Sequence, residues 1–263
     1  SGAALATPAG FEGGRPLGLE RDVWGVTGIA NLELDDRFKL TSITAYRRFS
    51  SLEIFDADGI SLPILTAAED ARGKQFSQEL RLAYEAGPLT AFVGASYFHE
   101  DGSQRTPAQF DERMTLARLA GALNGGGAIP GRPATDPAPA ALFANTAFTG
   151  QLLQGVAGAY GVALDAALAQ AIAANLKSSH LETSTNSART NAVDLFGDVT
   201  LRVAEQFELG AGLRYTHDDK RSSYTAAVLN GRSILGGFIG ALGLAEPLRT
   251  GLLQGLAVPG AAT

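Results

Sequence analysis

Residues Asn191 to Asp219 read NAVDLFGDVTLRVAEQFELGAGLRYTHDD, and their alternation decides the fold. In the first arm Val193, Leu195, Val199, Leu201 and Val203 alternate with Asp194, Phe196, Asp198, Thr200 and Arg202. In the second, Phe207, Leu209, Ala211, Leu213 and Tyr215 alternate with Glu208, Gly210, Gly212, Arg214 and Thr216, after a polar step at Glu205-Gln206. Successive strand side chains point to opposite faces, so a period of two predicts two strands with one apolar and one charged face. A sheet in water can carry the same pattern. Each arm, however, holds about ten alternating residues, the length a tilted strand needs to cross a bilayer. Tyr215 then stands where an interfacial aromatic girdle would lie.

Working outward, four more strands follow the same rule. Val23 to Leu34 places Trp24, Val26, Ala30, Leu32 and Leu34 on one face, and Asp35-Asp36-Arg37 is a tight turn before a strand from Phe38 to about Phe49. Lys74–Tyr84 sets Phe76, Gln78, Leu80 and Leu82 against Ser77, Glu79, Arg81 and Ala83, and Glu85–Pro88 turns the chain into Leu89–His99. Short turns follow the first, third and fifth strands, and long loops follow the others. That is the pattern of short periplasmic turns and long extracellular loops, so the ends near Phe49, His99 and His217 are expected outside the cell. The expected division is a loop tail at 1–22, barrel strands over 23–226, and a truncated extracellular loop at 227–263, whose apolar, Gly-rich stretches at Ile234–Leu244 and Leu252–Val258 are candidates for short helices. The loop 100–188 is too long to be structureless in a compact domain. Leu152, Val156, Tyr160, Leu164, Leu168, Ile172 and Leu176 recur at helical spacing within it and predict a helix near 162–176.

Composition narrows the function. The chain has 263 residues, a net charge of -6 and no cysteine, so disulfides and thiolate metal sites are excluded. The acidic balance speaks against nucleic acid. No apolar run is long enough for a transmembrane helix, which leaves a barrel open, because barrel strands hide their apolar residues at alternate positions. The opening SGAALATPAG has no basic segment or apolar core of an export signal.

Three stretches carry a resemblance. Leu209–Lys220 (LGAGLRYTHDDK) resembles the GxRYTxExK-type strand of TonB-dependent outer-membrane receptors. Leu40–Phe49 (LTSITAYRRF) is similar to the LxSITxYR strand of that family, and Phe76–Leu82 (FSQELRL) to its xxQExRL strand. The three stand in family order and span roughly Val23 to Ala226, the middle of that family's barrel. The resemblance implies an all-β, antiparallel up-and-down transmembrane barrel, here partial with about six strands, plus a helical insertion in one extracellular loop. Six strands cannot close a transmembrane barrel, which takes about eight or more, and this family's transporters have about 22. The expectation is therefore an internal piece, or a truncated copy, of a Gram-negative outer-membrane receptor importing a bulky scarce nutrient such as a siderophore, a cobalamin-like compound or a glycan. Implied partners are outer-membrane lipid, a plug domain and further strands beyond this stretch, the TonB complex acting through them, and a small-molecule or metal-chelate substrate.

Two constellations stand out. Glu79, Arg81, Asp194, Asp198, Arg202, Glu208 and Arg214 fall on the polar phase of their strands and form a candidate lumen wall. Cross-strand ion pairing that stiffens the wall explains each residue singly. The second set is His99, Glu100 and Asp101 with His217, Asp218 and Asp219, a candidate outer-rim cluster that has the residue types of a divalent-ion site. Hydrated charge above an aromatic girdle explains it equally well. With only His99, His180 and His217 available and no GxSxG elbow, the sequence offers no catalytic residues and no cofactor site, and the chain does not read as an enzyme. The rival readings are a passive porin or structural barrel segment, and a soluble β-rich binding module whose apolar faces pack on each other, so that Arg at Leu201 or Leu213 would unfold it.

Overall fold

The computed structural model describes residues 16–59, 62, 64–123, 133, 135–136 and 138–261. Six strands run β1 (Gly18–Glu33), β2 (Phe38–Asp56), β3 (Leu65–Ala86), β4 (Leu89–Phe110), β5 (His180–Ala204) and β6 (Phe207–Val228). They form one open sheet in sequence order with every neighbouring pair antiparallel, the up-and-down all-β arrangement the alternation predicts.

The turns fall where the sequence puts them. At the first, the Asp35 carboxylate accepts from the backbone N–H of both Arg37 and Phe38 at 2.8 Å, an Asx turn. At the second, Gly87 takes φ +54°, a left-handed conformation that only glycine adopts without strain.

The strands are longer than the alternation indicates. β1 begins at Gly18, inside the stretch read as a loop tail, whose residues 1–15 lie outside the described residues. β2 and β3 take up most of the loop expected between Ser50 and Gly73, and β4 and β5 extend to Phe110 and back to His180. The cause is physical. In segments such as Thr183–Arg189 (TSTNSAR) both faces are polar, so the ladder continues while the hydrophobic signal disappears. Cross-strand pairs hold the extension, including Arg189 to Asp101 at 2.8 Å and Arg105 to Asp70 at 3.5 Å.

Helices gather beyond these strand ends. They are α1 (Glu112–Leu119), α2 (Ala140–Phe143), α3 (Thr146–Ala159), α4 (Ala166–Asn175), α5 (Ile234–Leu242) and α6 (Leu248–Leu256). The helix expected near 162–176 starts at Ala166. Gly161, at φ +71°, breaks the apolar repeat, and the Asp165 carboxylate caps the new helix by accepting from the N–H of Ala167 at 2.9 Å. The long loop and the segment after β6 share one core, in which Leu116, Leu153, Ile172, Phe238 and Leu256 are buried together. Among the described residues no helix is long and apolar enough to cross a membrane, which says nothing of a barrel.

One close approach inside the sheet gives a direct test. A Cβ on Gly94 would lie 2.5 Å from the Phe196 ring and 2.9 Å from the carbonyl oxygen of Leu80. Gly94→Ala therefore lifts Phe196 off the sheet and costs about 1–3 kcal/mol of stability. Denaturant unfolding checks this, and a variant as stable as the parent refutes the packing described.

Candidate functional site

The charged face is built by register and pleat. Glu79 pairs with Ser96, Ser96 with Asp194, and Asp194 with Thr216. One step toward the short turns, Arg81, Gly94, Phe196 and Arg214 form the next row, followed by Ala83, Phe92, Asp198 and Gly212. Arg202 faces Glu208 at the foot of the same face. Alternation thus brings all seven predicted wall residues to one side of the sheet.

Four of them, Glu79, Arg81, Asp198 and Arg214, line a hollow of about 500 Å³. Asp194, on the same face beside the hollow, is the most buried of the seven, 6% exposed. Its carboxylate accepts from Ser96 Oγ at 2.7 Å, from the Thr216 hydroxyl, and from Arg214 Nη2 at 2.9 Å. Arg202 and Glu208 form a separate pair at 2.7 Å, both well exposed and so worth little in isolation. The ion pairs stiffen the wall, whereas Glu79 and Asp198 present carboxylates to the hollow.

Sequence reasoning missed the aromatic part. Phe92 and Phe196 occupy polar-phase positions, and their rings meet edge-on with centroids 6.2 Å apart. The Arg81 guanidinium lies 4.0 Å over the Phe92 ring, and that of Arg214 lies 5.8 Å from Phe196. The available clue was a phenylalanine in each strand at a position where every neighbour in phase is polar or small. The hollow therefore offers planar cations, carboxylates and aromatic edges together.

The outer-rim cluster does not assemble. Alternation puts His99, Asp101, His217 and Asp219 on the apolar-phase face, and Glu100 and Asp218 on the other. Each acid already has a partner: Asp101 has Arg189 at 2.8 Å, Glu100 has Gln75 at 2.9 Å, Asp218 has Lys220 at 3.2 Å and Asp219 has Arg221 at 3.2 Å. His99 is bound to Asn191 at 2.8 Å. Among the described residues no group of three His or acidic side chains is placed to hold a metal. His180 is not in a loop but opens β5, buried against Glu182 at 2.9 Å.

The apolar-phase face carries an order that appears only with the register. The partners Val26, Tyr46, Phe76, His99, Asn191 and Asp219 form one row across the sheet. Relative to that row, and toward the long connections, Trp24 lies two positions up. Tyr46 and Phe76 lie on it, Tyr97 two positions down and Tyr215 four down. A second line runs parallel nearer the turns. Phe38 and Tyr84 are partners, and Phe207 lies four positions below Ala211, which shares their row. With a rise of about 3.3 Å per residue and about 4.8 Å between strands, both lines cross the sheet at about 40° to its hydrogen bonds. Phe38 and Tyr46, Phe76 and Tyr84, and Phe207 and Tyr215 are each eight positions apart. Between the lines this face has no charged residue, and Val93 (59%), Leu195 (56%) and Leu213 (82%) stand exposed.

No protein-family model matches the chain, and no curated protein matches it.

Proposed function

We propose that this chain is a stretch of the wall of an outer-membrane, TonB-dependent receptor that imports a bulky scarce nutrient. The observation that carries the reading is the pair of parallel aromatic lines. Their slope of about 40° matches the strand tilt of transmembrane barrels, and about 20 Å of uncharged surface between them is close to the apolar band such barrels present to lipid. The three motif stretches support the receptor rather than a generic barrel. On this reading the hollow at Glu79, Arg81, Asp198 and Arg214 faces the lumen, and the helices of the long loops face the substrate. No described element packs over the apolar face, contrary to what a soluble module with packed apolar faces would require.

The test uses the protein expressed from its own reading frame in a Gram-negative host. It is expected in the outer membrane after an alkaline carbonate wash, and recovery in the soluble fraction sinks the membrane reading. Ligand uptake by these cells is expected to stop when a protonophore collapses the proton gradient. Uptake that continues would favour a passive porin.

A further inference from the structure

One polar step above the upper aromatic line, on the apolar-phase face, Arg48 and Lys74 are direct cross-strand partners. Like charges in that position repel. Both side chains are exposed, and among the described residues no carboxylate forms an ion pair with either. They line a groove of about 360 Å³ with Tyr46, Arg72, Asp101 and Ser103. Its one acid, Asp101, is the cross-strand partner of Lys74 on the side away from Arg48 and is itself held by Arg189 at 2.8 Å, and Asp70, beside Arg72 at 3.3 Å, is shared with Arg105 at 3.5 Å. Two further acids, Glu20 and Asp22, line the neighbouring hollow, which Arg48 and Arg72 also border. The groove therefore holds a surplus of positive charge beside Trp24, the cross-strand partner of Arg48, and above Tyr46, and those two rings lie 5.3 Å apart.

We infer that this groove is a binding site for the phosphomonoester headgroup of a membrane lipid. The inference rests on the membrane reading above, which puts the groove at headgroup height on the lipid side. A phosphomonoester carries about -1.5 to -2 charges near neutral pH and three strong acceptor oxygens. Seated between Arg48 and Lys74, it turns a repulsive pair into two charge-assisted contacts, with Arg72 and the Ser103 hydroxyl in reach of the remaining oxygens. The acyl chains then run down the uncharged face past Tyr46. A free phosphate satisfies the same cations but leaves that apolar approach unused.

The protein expressed from its own reading frame is reconstituted in phosphatidylcholine nanodiscs containing phosphatidic acid and phosphatidylglycerol, and retained lipid is read by native mass spectrometry. Phosphatidic acid is expected to be retained over the other two. R48Q/K74Q is expected to lose that preference by about tenfold or more. R47Q, one residue away but on the opposite face, and K74R are expected to keep it. Equal retention by parent and double variant overturns the inference, as does an equal loss in R47Q, which would report bulk charge. Displacement of the lipid by inorganic phosphate at equal concentration would assign a soluble anion and overturn the lipid. A protein that inserts without headgroup preference defeats this inference alone, and one that stays in solution defeats the membrane reading with it.

Discussion

Val93→Arg is expected to lower the stability of the bilayer-inserted protein by about 2–4 kcal/mol, the penalty for a cation on the lipid face at mid-depth. Val93 lies midway between Leu89 and Tyr97 on β4 and is 59% exposed, so the new side chain meets no protein atom that must move. In water such a substitution changes stability by about 0.5 kcal/mol or less. The large effect arises only if this face meets hydrocarbon. Thr90→Arg, on the opposite face of the same strand, provides the control and should change little. Refolding into vesicles across a denaturant series measures both. A Val93→Arg protein as stable as its parent would mean that the apolar face is not in lipid.

Glu112→Ala is expected to loosen the helical assembly by about 3 kcal/mol while leaving the sheet intact. Glu112 is 2% exposed and ties three segments together. One carboxylate oxygen accepts from the backbone N–H of Lys177 at 2.8 Å, and the other from Ser233 Oγ at 2.6 Å and the Leu235 N–H at 3.3 Å. Alanine leaves those donors without an acceptor in a place where water is scarce, at roughly 1–3 kcal/mol for each fully buried group. Hydrogen exchange over α5 and α6 should accelerate, and exchange in β3 and β4 should not. Glu112→Gln keeps an acceptor and should restore part of the loss. Lys177 adds a pH dependence. Burial pulls its amine below the ordinary lysine value, opposed by the Glu112 charge. The unfolded chain therefore binds more protons between the depressed folded value and the ordinary lysine range, and Lys177 makes stability rise with pH across that window. Unchanged exchange in Glu112→Ala would remove the carboxylate from this role.

How far the sequence could be read depended on whether a segment had one dry face. Between Phe38 and Tyr46, Phe76 and Tyr84, and Val193 and Tyr215 the alternation is strong, and strand phase, turns and facing agree with the structure. Beyond Phe76 and Tyr97 both faces turn largely polar, and beyond Tyr46 the apolar residues Phe49, Leu52, Ile54 and Phe55 are split between the faces, so the same ladder carries no hydrophobic period. The aromatic lines were unreadable for another reason: Trp24 and Tyr215 are related only through the register of the four strands between them. In α5, Gly236, Gly237 and Gly240 lower the helix propensity of a stretch whose apolar run already made it a short-helix candidate, and burial of Phe238 against the other helices holds it. The six rim residues are split between the two faces because neighbours along a strand point to opposite sides. The seven candidate wall residues share one face because they lie in phase along their strands.

The reach of the ladder above the upper aromatic line has a thermodynamic consequence. β3 continues eleven positions from Phe76 to Leu65, about 36 Å along the strand and about 28 Å in height at the slope given above. On the membrane reading, the helical core around Leu116, Ile172 and Phe238 is therefore bathed in water while the lower sheet is bathed in lipid. Its cohesion comes from apolar burial, and urea or guanidinium should weaken it in proportion to the area exposed. The lower sheet, whose apolar face stays against lipid, has no such term to lose. One continuous chain would then melt in two separate steps, and a single melting temperature would describe neither part.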